Sequence, residues 1–342
     1  MFRKQINKNY ITLVLVKIQG IHSSKLLELQ ESYMLEQLIL KIKKYLYSYK
    51  ELRLKNILLT TTISNSHFSA SIHHLGAELF SLKNTKTNIE YIWEGDEAFW
   101  PKHSPILFPI VGTLKNNSYH YHGKDYNLTR HGFARDTTFK LISKTENSAL
   151  FSLESSSSSL AVYPFDFELQ IQYTLEDNGL HVSYLVNNTS ATNLPFSIGA
   201  HPAFALPGQF EYYALAFEKE EKLSYNLLEN NLIVDTTANL IAVDRTVPLN
   251  YELFKHDALI FKKLKSKTIT IVKNKVPYLK VKFATFPHLG IWTKVGAPFL
   301  CIEPWHGYSD TLNSTGDLLE KEGIEILEPN TRFETNFSIE IL

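Results

Sequence analysis

Cysteine is almost missing from this sequence: Cys301 stands alone among 342 residues. No intramolecular disulfide is possible, and no CxxC or Cys/His zinc pattern exists, which points to a reducing compartment and a cytoplasmic location. Net charge is missing too, since 35 Lys and Arg face 35 Asp and Glu. A neutral balance speaks against a polyanionic partner, because nucleic-acid binders present a basic face to phosphates, so no nucleic acid is expected. There is no GxGxxG, no GxxxxGK[ST] and no GxSxG. Dinucleotide binding, P-loop chemistry and serine hydrolysis therefore find no support.

Proline is absent from residues 1–57, and this stretch carries eleven Lys and Arg against four Asp and Glu. Leu26, Leu29, Tyr33, Leu38, Ile42 and Tyr45 recur at helical spacing, so the segment reads as a basic amphipathic helix, a partly helical extension of unknown role. No membrane span is expected, because Glu28, Glu31, Glu36, Lys41, Lys43 and Lys44 interrupt every 18-residue apolar window there. Arg3, Lys4 and Lys8 ahead of Tyr10–Val16 mimic a secretion signal, but Lys17 ends a minimal apolar run and no small-residue cleavage site follows. The extension is expected to be solvated or loosely docked, rather than secreted or membrane-bound.

From about residue 58 the period changes from helical to alternating. Phe167–Leu175 alternates apolar and polar residues, Glu176-Asp-Asn-Gly179 supplies turn chemistry, and Leu180–Val186 resumes the alternation, which spells an antiparallel hairpin. Lys267–Lys273 and Tyr278–Ala284 repeat the pattern, with Pro277 expected at a strand edge. Glu154–Ser159 reads as a surface loop. Many such strands without long helical patterns predict an all-β fold, a large antiparallel two-sheet β-sandwich over residues 58–342.

Among thirteen histidines, the neighbours His73 and His74, and His120 with His122, invite a metal reading. Neither pair has a third ligand at recognisable spacing, so no metal is expected. Three segments stand apart: Arg130-His-Gly-Phe-Ala-Arg135, Gly199-Ala-His-Pro-Ala-Phe204 and Cys301-Ile-Glu-Pro-Trp-His-Gly-Tyr-Ser-Asp310. Each sets an ionisable side chain beside Gly or Pro and an aromatic, as a sheet-edge loop does when it holds a charged group against a flat apolar surface.

Their order and spacing resemble the aldose 1-epimerase (galactose mutarotase) family, and within it the LacX-like subgroup. Leu75-Gly-Ala-Glu-Leu79, Trp93-Glu-Gly-Asp, Trp100, Leu107-Phe-Pro-Ile-Val-Gly112 and Asp257-Ala-Leu-Ile-Phe261 extend the likeness from about residue 58 to 342. The resemblance implies a β-sandwich with a sugar in an open cleft and no cofactor. It implies Glu303 as the base that takes the C1 hydroxyl proton, His201 as the acid at the ring oxygen, and His131 as a hydrogen-bonding partner of that region. Arg135, Asp257, Trp305 and Phe133 are the expected substrate-binding residues, although Trp305 reads equally well as a core tryptophan. Imidazole suits the acid role, since its ordinary pKa near 6.5 is close to cellular pH.

One departure is Thr113, where family members commonly carry an arginine that contacts sugar hydroxyls; Lys115 or Arg135 is the expected substitute. The expected partner is a small-molecule sugar. Two alternatives stand beside the hexose epimerase: a hexose-6-phosphate 1-epimerase, and a non-catalytic carbohydrate-binding protein on the same scaffold. Arg130, Arg135, Arg245 and Arg332 are the only arginines after residue 57, and this scarcity favours an unphosphorylated sugar.

Overall fold

The computed structural model describes residues 59–342 and, ahead of them, residues 39–41, 43 and 44, which are helical. The apolar face expected at Leu26, Leu29, Tyr33, Leu38, Ile42 and Tyr45, and the Tyr10–Val16 run, lie outside the described residues.

Residues 59–342 are built from strands. The strands Phe167–Glu176 and Gly179–Asn188 form the hairpin that the alternation predicts, in register from Gly179 opposite Glu176 to Asn188 opposite Phe167. Phe167, Leu169, Ile171, Tyr173 and Leu175 all point inward, as a period of two requires when one face is buried. This hairpin belongs to a nine-stranded antiparallel sheet running from Thr246–Pro248 at one edge to Lys140–Lys144 at the other. An eight-stranded sheet contains Leu232–Leu240, Leu223–Glu229, Leu259–Phe261, His288–Trp292, Phe299–His306, Ile198–Ala200 and Ile106–Leu107 in that order, with Ala203–Ala205 also paired to Phe299–His306. Ile171, Val182 and Phe337 of the first sheet share one apolar core with Ile291, Leu300 and Ile302 of the second. This is the expected two-sheet sandwich.

Two local readings change. The second hairpin runs Thr268–Lys273 and Val276–Lys282, closed by Asn274 and Lys275, both at positive φ, so the turn is tighter than expected. Pro277 lies inside the returning strand, opposite Val272, where the register shifts. A bulge tolerates its missing N–H as a strand edge would. The Glu154–Ser159 loop holds a single helical turn, Ser157–Leu160, closed by a reciprocal Ser156/Ser159 capping box.

The strand that matters for chemistry is Phe299–His306, buried on both faces. Leu300 and Ile302 enter the inter-sheet core, while Phe299, Cys301 and Trp305 belong to smaller clusters on the opposite face. Glu303, at the same parity as Cys301 and Trp305, therefore emerges on that outer face. No helix among the described residues is long and apolar enough to cross a membrane.

Candidate active site

A cavity of about 440 Å³ opens on the outer face of the eight-stranded sheet, with Glu303, Trp305, His201, His131, Arg135 and Asp257 in its wall. Of the seven side chains the sequence nominated, six meet there. Phe133 does not. Its ring packs on Phe108, Tyr163 and Phe167 in the core. The reason is local: His131 and Gly132 both have positive φ (69° and 70°) and a 3₁₀ turn starts at Ala134, so strand parity does not carry from 131 to 133. Gly132 is required at this turn, because a β-carbon there would lie 2.2 Å from the Phe108 carbonyl oxygen.

His201 owes its place to the proline after it. Ile198 and Gly199 pair with His306 and Trp305, and pairing to the same strand resumes with Ala203 opposite Cys301. Between them Pro202 has no N–H to offer the ladder. The chain leaves the sheet there, and His201 turns onto the outer face with Nε2 3.1 Å from Glu303 Oε2. Trp100 stacks on the imidazole at 4.9 Å between centroids and Trp292 meets it edge-on at 5.9 Å. Four buried polar atoms at this wall, His201 Nδ1, Glu303 Oε2, Arg135 Nε and Trp305 Nε1, lack a hydrogen-bond partner. Unpartnered buried polar atoms carry a cost in stability, so their clustering at one cavity marks a place that a polar ligand completes.

Burial decides the protonation of the pair. It raises the Glu303 carboxyl well above the ordinary carboxylate value; Asp257 adds to this, while Arg130 and the Trp305 indole N–H oppose it. Burial also pushes His201 down to about 3, with Arg130 and Arg135 acting in the same direction. Burial thus favours the uncharged form of each group, imidazole and carboxyl, over the ion pair, and takes His201 away from the ordinary imidazole value near 6.5 that suited it to the acid role. His131 is likewise held well below its usual value, first by burial and then by Arg130, His201 and Arg135. Both of its ring nitrogens face donors: the Gly112 amide donates toward Nδ1 at 3.0 Å and Arg130 Nε donates toward Nε2 at 3.1 Å. A neutral imidazole accepts at one nitrogen only, so the two donors compete for the ring, and Arg130 is tied to His131 at this corner of the cavity.

Arg130 is a site residue that the sequence reading passed over. It also reaches Asn231 Oδ1 at 3.1 Å and stands 4.0 Å from Asp257. Thr113, by contrast, is tied into the wall's support: its amide donates to Ser309 Oγ and its carbonyl accepts from Asp310 N. Asp310 in turn is held by the buried Lys321 ammonium at 2.7 Å and by the Lys115 amide. Lys115 thus braces this support, and Arg130, Arg135 and Lys294 are the cations in the cavity wall. Losing a charged donor to a ligand oxygen costs about 1.5–3 kcal/mol, so if the cavity takes the sugar that the sequence resemblance implies, Arg130→Ala is expected to weaken its binding by about tenfold or more. Thr113→Arg, compared in the same assay, should bring no gain. Tighter binding by Thr113→Arg together with a neutral Arg130→Ala would show that position 113 still addresses the sugar.

Trp305 lies flat on the sheet because two glycines let it. A β-carbon on Gly290 would come 2.4 Å from Trp305 Cη2, and one on Gly199 2.5 Å from Cδ1. The indole both lines the cavity and packs with Leu107, Val111 and Ile260. Gly290→Ala must lift the ring into the cavity, and overpacking of this kind costs roughly 1–3 kcal/mol. We expect a lower thermal midpoint and weaker binding of the sugar that the sequence resemblance implies; unchanged binding would take Trp305 out of the ligand-facing wall.

The paired histidines have separate partners. His73 stacks on Phe80 and His74 bonds Thr61 Oγ1, while His120 pairs with Asp125 and His122 sits in a turn at positive φ.

Residues 60–323 match the model of the aldose 1-epimerase family. The chromosomal LacX protein of Lactococcus lactis is 32% identical over 299 residues, which cover 83% of this chain and all of that protein. A galactose mutarotase related enzyme from Lactobacillus acidophilus superposes with a TM-score of 0.79 at 32% identity, covering 83% of this chain and 97% of that one. A galactose mutarotase-like protein from Lactobacillus casei gives 0.78 at 30% identity, over 83% and 100% of the two chains.

Proposed function

The chain belongs to the aldose 1-epimerase family and is LacX-like, and from that premise we propose that it interconverts the α and β anomers of a hexose by acid–base ring opening and closure. The observation that carries the reading is the buried His201–Glu303 contact at 3.1 Å in the wall of a cavity whose volume falls in the range of small-molecule sites, roughly 300–1,000 Å³.

One proton serves the cycle. Hydrogen bonds from sugar hydroxyls to the carboxylate favour the ionised pair on binding, so the carboxyl proton passes to His201 across the 3.1 Å contact. Glu303, now a carboxylate, takes the C1 hydroxyl proton while His201 protonates the ring oxygen, and the C1–O5 bond breaks to give the open aldehyde. After rotation about C1–C2, the O5 hydroxyl attacks the other carbonyl face. Its proton returns to His201, and Glu303 gives its proton to the new C1 hydroxyl. The intermediate stage, neutral imidazole beside protonated carboxyl, is the one burial favours, so it needs no exchange with solvent. The Arg130 guanidinium, held against His131, suits an oxygen of the ring, and Trp305 suits a sugar C–H face. No cofactor is called for by these steps.

Following optical rotation of α-D-glucose, α-D-galactose and glucose 6-phosphate at several protein concentrations tests the reading. First-order relaxation with a rate proportional to protein is expected for one of them. Sugar binding without acceleration would sink it in favour of a carbohydrate-binding protein. The phosphorylated substrate stays a second reading on one observation: Arg130, Arg135 and Lys294 all line the cavity, a cationic set suited to a phosphate dianion.

We further assign the activity to residues 58–342 and the protein to the cytoplasm. A chain beginning near Asn56 should fold and epimerise as the full chain does. A folded but inactive truncation would make the extension part of the site.

A further inference from the structure

Beneath Glu303 on the same strand face lies the molecule's only cysteine, fully buried, and the proton-transfer scheme gives it no task. His201, Cys301 and Glu303 each bring one ligand-type atom to within 4.8 Å of the other two, all three residues being buried. In a tetrahedral zinc shell, with bonds of about 2.0–2.3 Å, neighbouring ligand atoms sit roughly 3.3–3.8 Å apart. The His201 Nε2–Glu303 Oε2 separation of 3.1 Å is already close to that, and the Cys301 sulfur stands within 4.8 Å of the other two ligand atoms. A second observation points the same way: Glu303 Oε2 is buried and has no hydrogen-bond partner, and it lies toward the imidazole nitrogen. Thiolate and carboxylate together carry two negative charges, which balance a divalent ion in a buried setting. Asp257 adds to the attraction, and Arg130 and Arg135 oppose it.

We propose that His201, Cys301 and Glu303 form a binding site for a thiophilic divalent cation of the Zn²⁺ type, and that an ion held there switches the acid–base pair off. The site stands on its own geometry, while the switching-off rests on reading His201 and Glu303 as the proton-transfer pair. Imidazole, thiolate and carboxylate are the ligand types zinc takes, and three protein ligands leave the fourth position to water or a sugar hydroxyl on the cavity side. With the imidazole and carboxylate lone pairs engaged by the ion, neither group exchanges a proton with a sugar. On binding, the thiol and carboxyl protons leave to solvent.

The test titrates the full chain with Co²⁺, a spectroscopic stand-in for zinc, then displaces it with Zn²⁺, and measures mutarotation with Zn²⁺ or with a chelator. With one cysteine in the chain, a thiolate-to-cobalt charge-transfer band has one possible source. The expected result is one equivalent bound with that band, lost in both Cys301→Ala and Cys301→Ser, and an affinity for Zn²⁺ lowered at least about tenfold in each. Zn²⁺ inhibition should weaken by the same factor, while the metal-free rates stay near parental. Two variants are used because the alanine leaves a small void and the serine buries a hydroxyl, and a folding defect common to both is unlike a loss of ligand: sugar binding and the thermal midpoint without metal separate the two. No band, or Zn²⁺ affinity unchanged in both variants, overturns the site. A band with inhibition indifferent to Cys301 overturns the switching-off. A band in a protein that never accelerates mutarotation upholds the site and overturns the epimerase reading.

Discussion

Glu303→Gln is expected to slow catalysed mutarotation by about 10²-fold or more, the usual worth of a positioned general base, and at the same time to stabilise the protein at neutral pH. The amide keeps the shape of the carboxyl and part of its hydrogen bonding, so sugar binding should survive. The stability gain follows from linkage. Burial raises the folded-state pKa of Glu303 above its unfolded value, so the native state holds that proton more tightly than the unfolded chain does. Its contribution is fully present below the ordinary carboxylate value and is lost as pH rises through the folded value. At neutral pH the wild-type chain has lost some or all of it. Glutamine, neutral at every pH, has no such slope. Thermal midpoints of the two proteins across the acid-to-neutral range should therefore diverge upward in favour of the variant as pH rises. A near-parental rate would remove Glu303 from the role of base, and a midpoint difference that does not change with pH would remove the raised pKa.

His201→Asn should reduce turnover nearly as much, and it should change the shape of the pH profile. In the wild type the active form holds one proton shared by two groups, so the observed limbs belong to the pair. With His201 pushed down to about 3, kcat/KM should hold a plateau well below the ordinary imidazole range instead of falling near 6.5. The alkaline limb is loss of the pair's last proton, set by the raised Glu303. In the asparagine variant only the carboxyl remains, and its ionised form is the one that works, so residual activity should rise with pH through the same value. A falling alkaline limb retained in His201→Asn would sink the shared-proton scheme. His131→Asn, a loss of one hydrogen bond at the edge of the reaction, should act more on KM.

Period-two alternation is the strongest signal in the chain, and it alone separates Leu300 and Ile302 from Cys301, Glu303 and Trp305. The sandwich was legible for that reason. Glu303 and His201 were nominated by the likeness of their segments to a known family, and the alternation of Phe299–His306 and the break at Pro202 account for where the structure puts them. Arg130 and Lys294 were not legible, because a cation in a loop has no periodicity to betray which way it points. Phe133 was misread because two successive positive-φ residues reset the direction of the chain between His131 and the ring, and nothing but the glycine hints at that. The depressed His201 pKa was likewise out of reach: it arises from Trp100 and Trp292 covering the imidazole, and these lie about a hundred residues away on either side.

Those aromatic neighbours make the molecule its own optical probe. The chain has four tryptophans. Trp100, Trp292 and Trp305 line the cavity that holds Glu303 and His201, and the indole of Trp93 donates to the backbone of Trp100 at 2.9 Å. Intrinsic emission, which in most proteins averages over scattered reporters, here comes almost entirely from a single wall. A sugar settling on that wall alters the polarity and quenching of three emitters together, and an ion seated at Cys301 lies beside the same indoles. Occupancy of the site can therefore be followed in the unlabelled protein by light alone, separately from turnover.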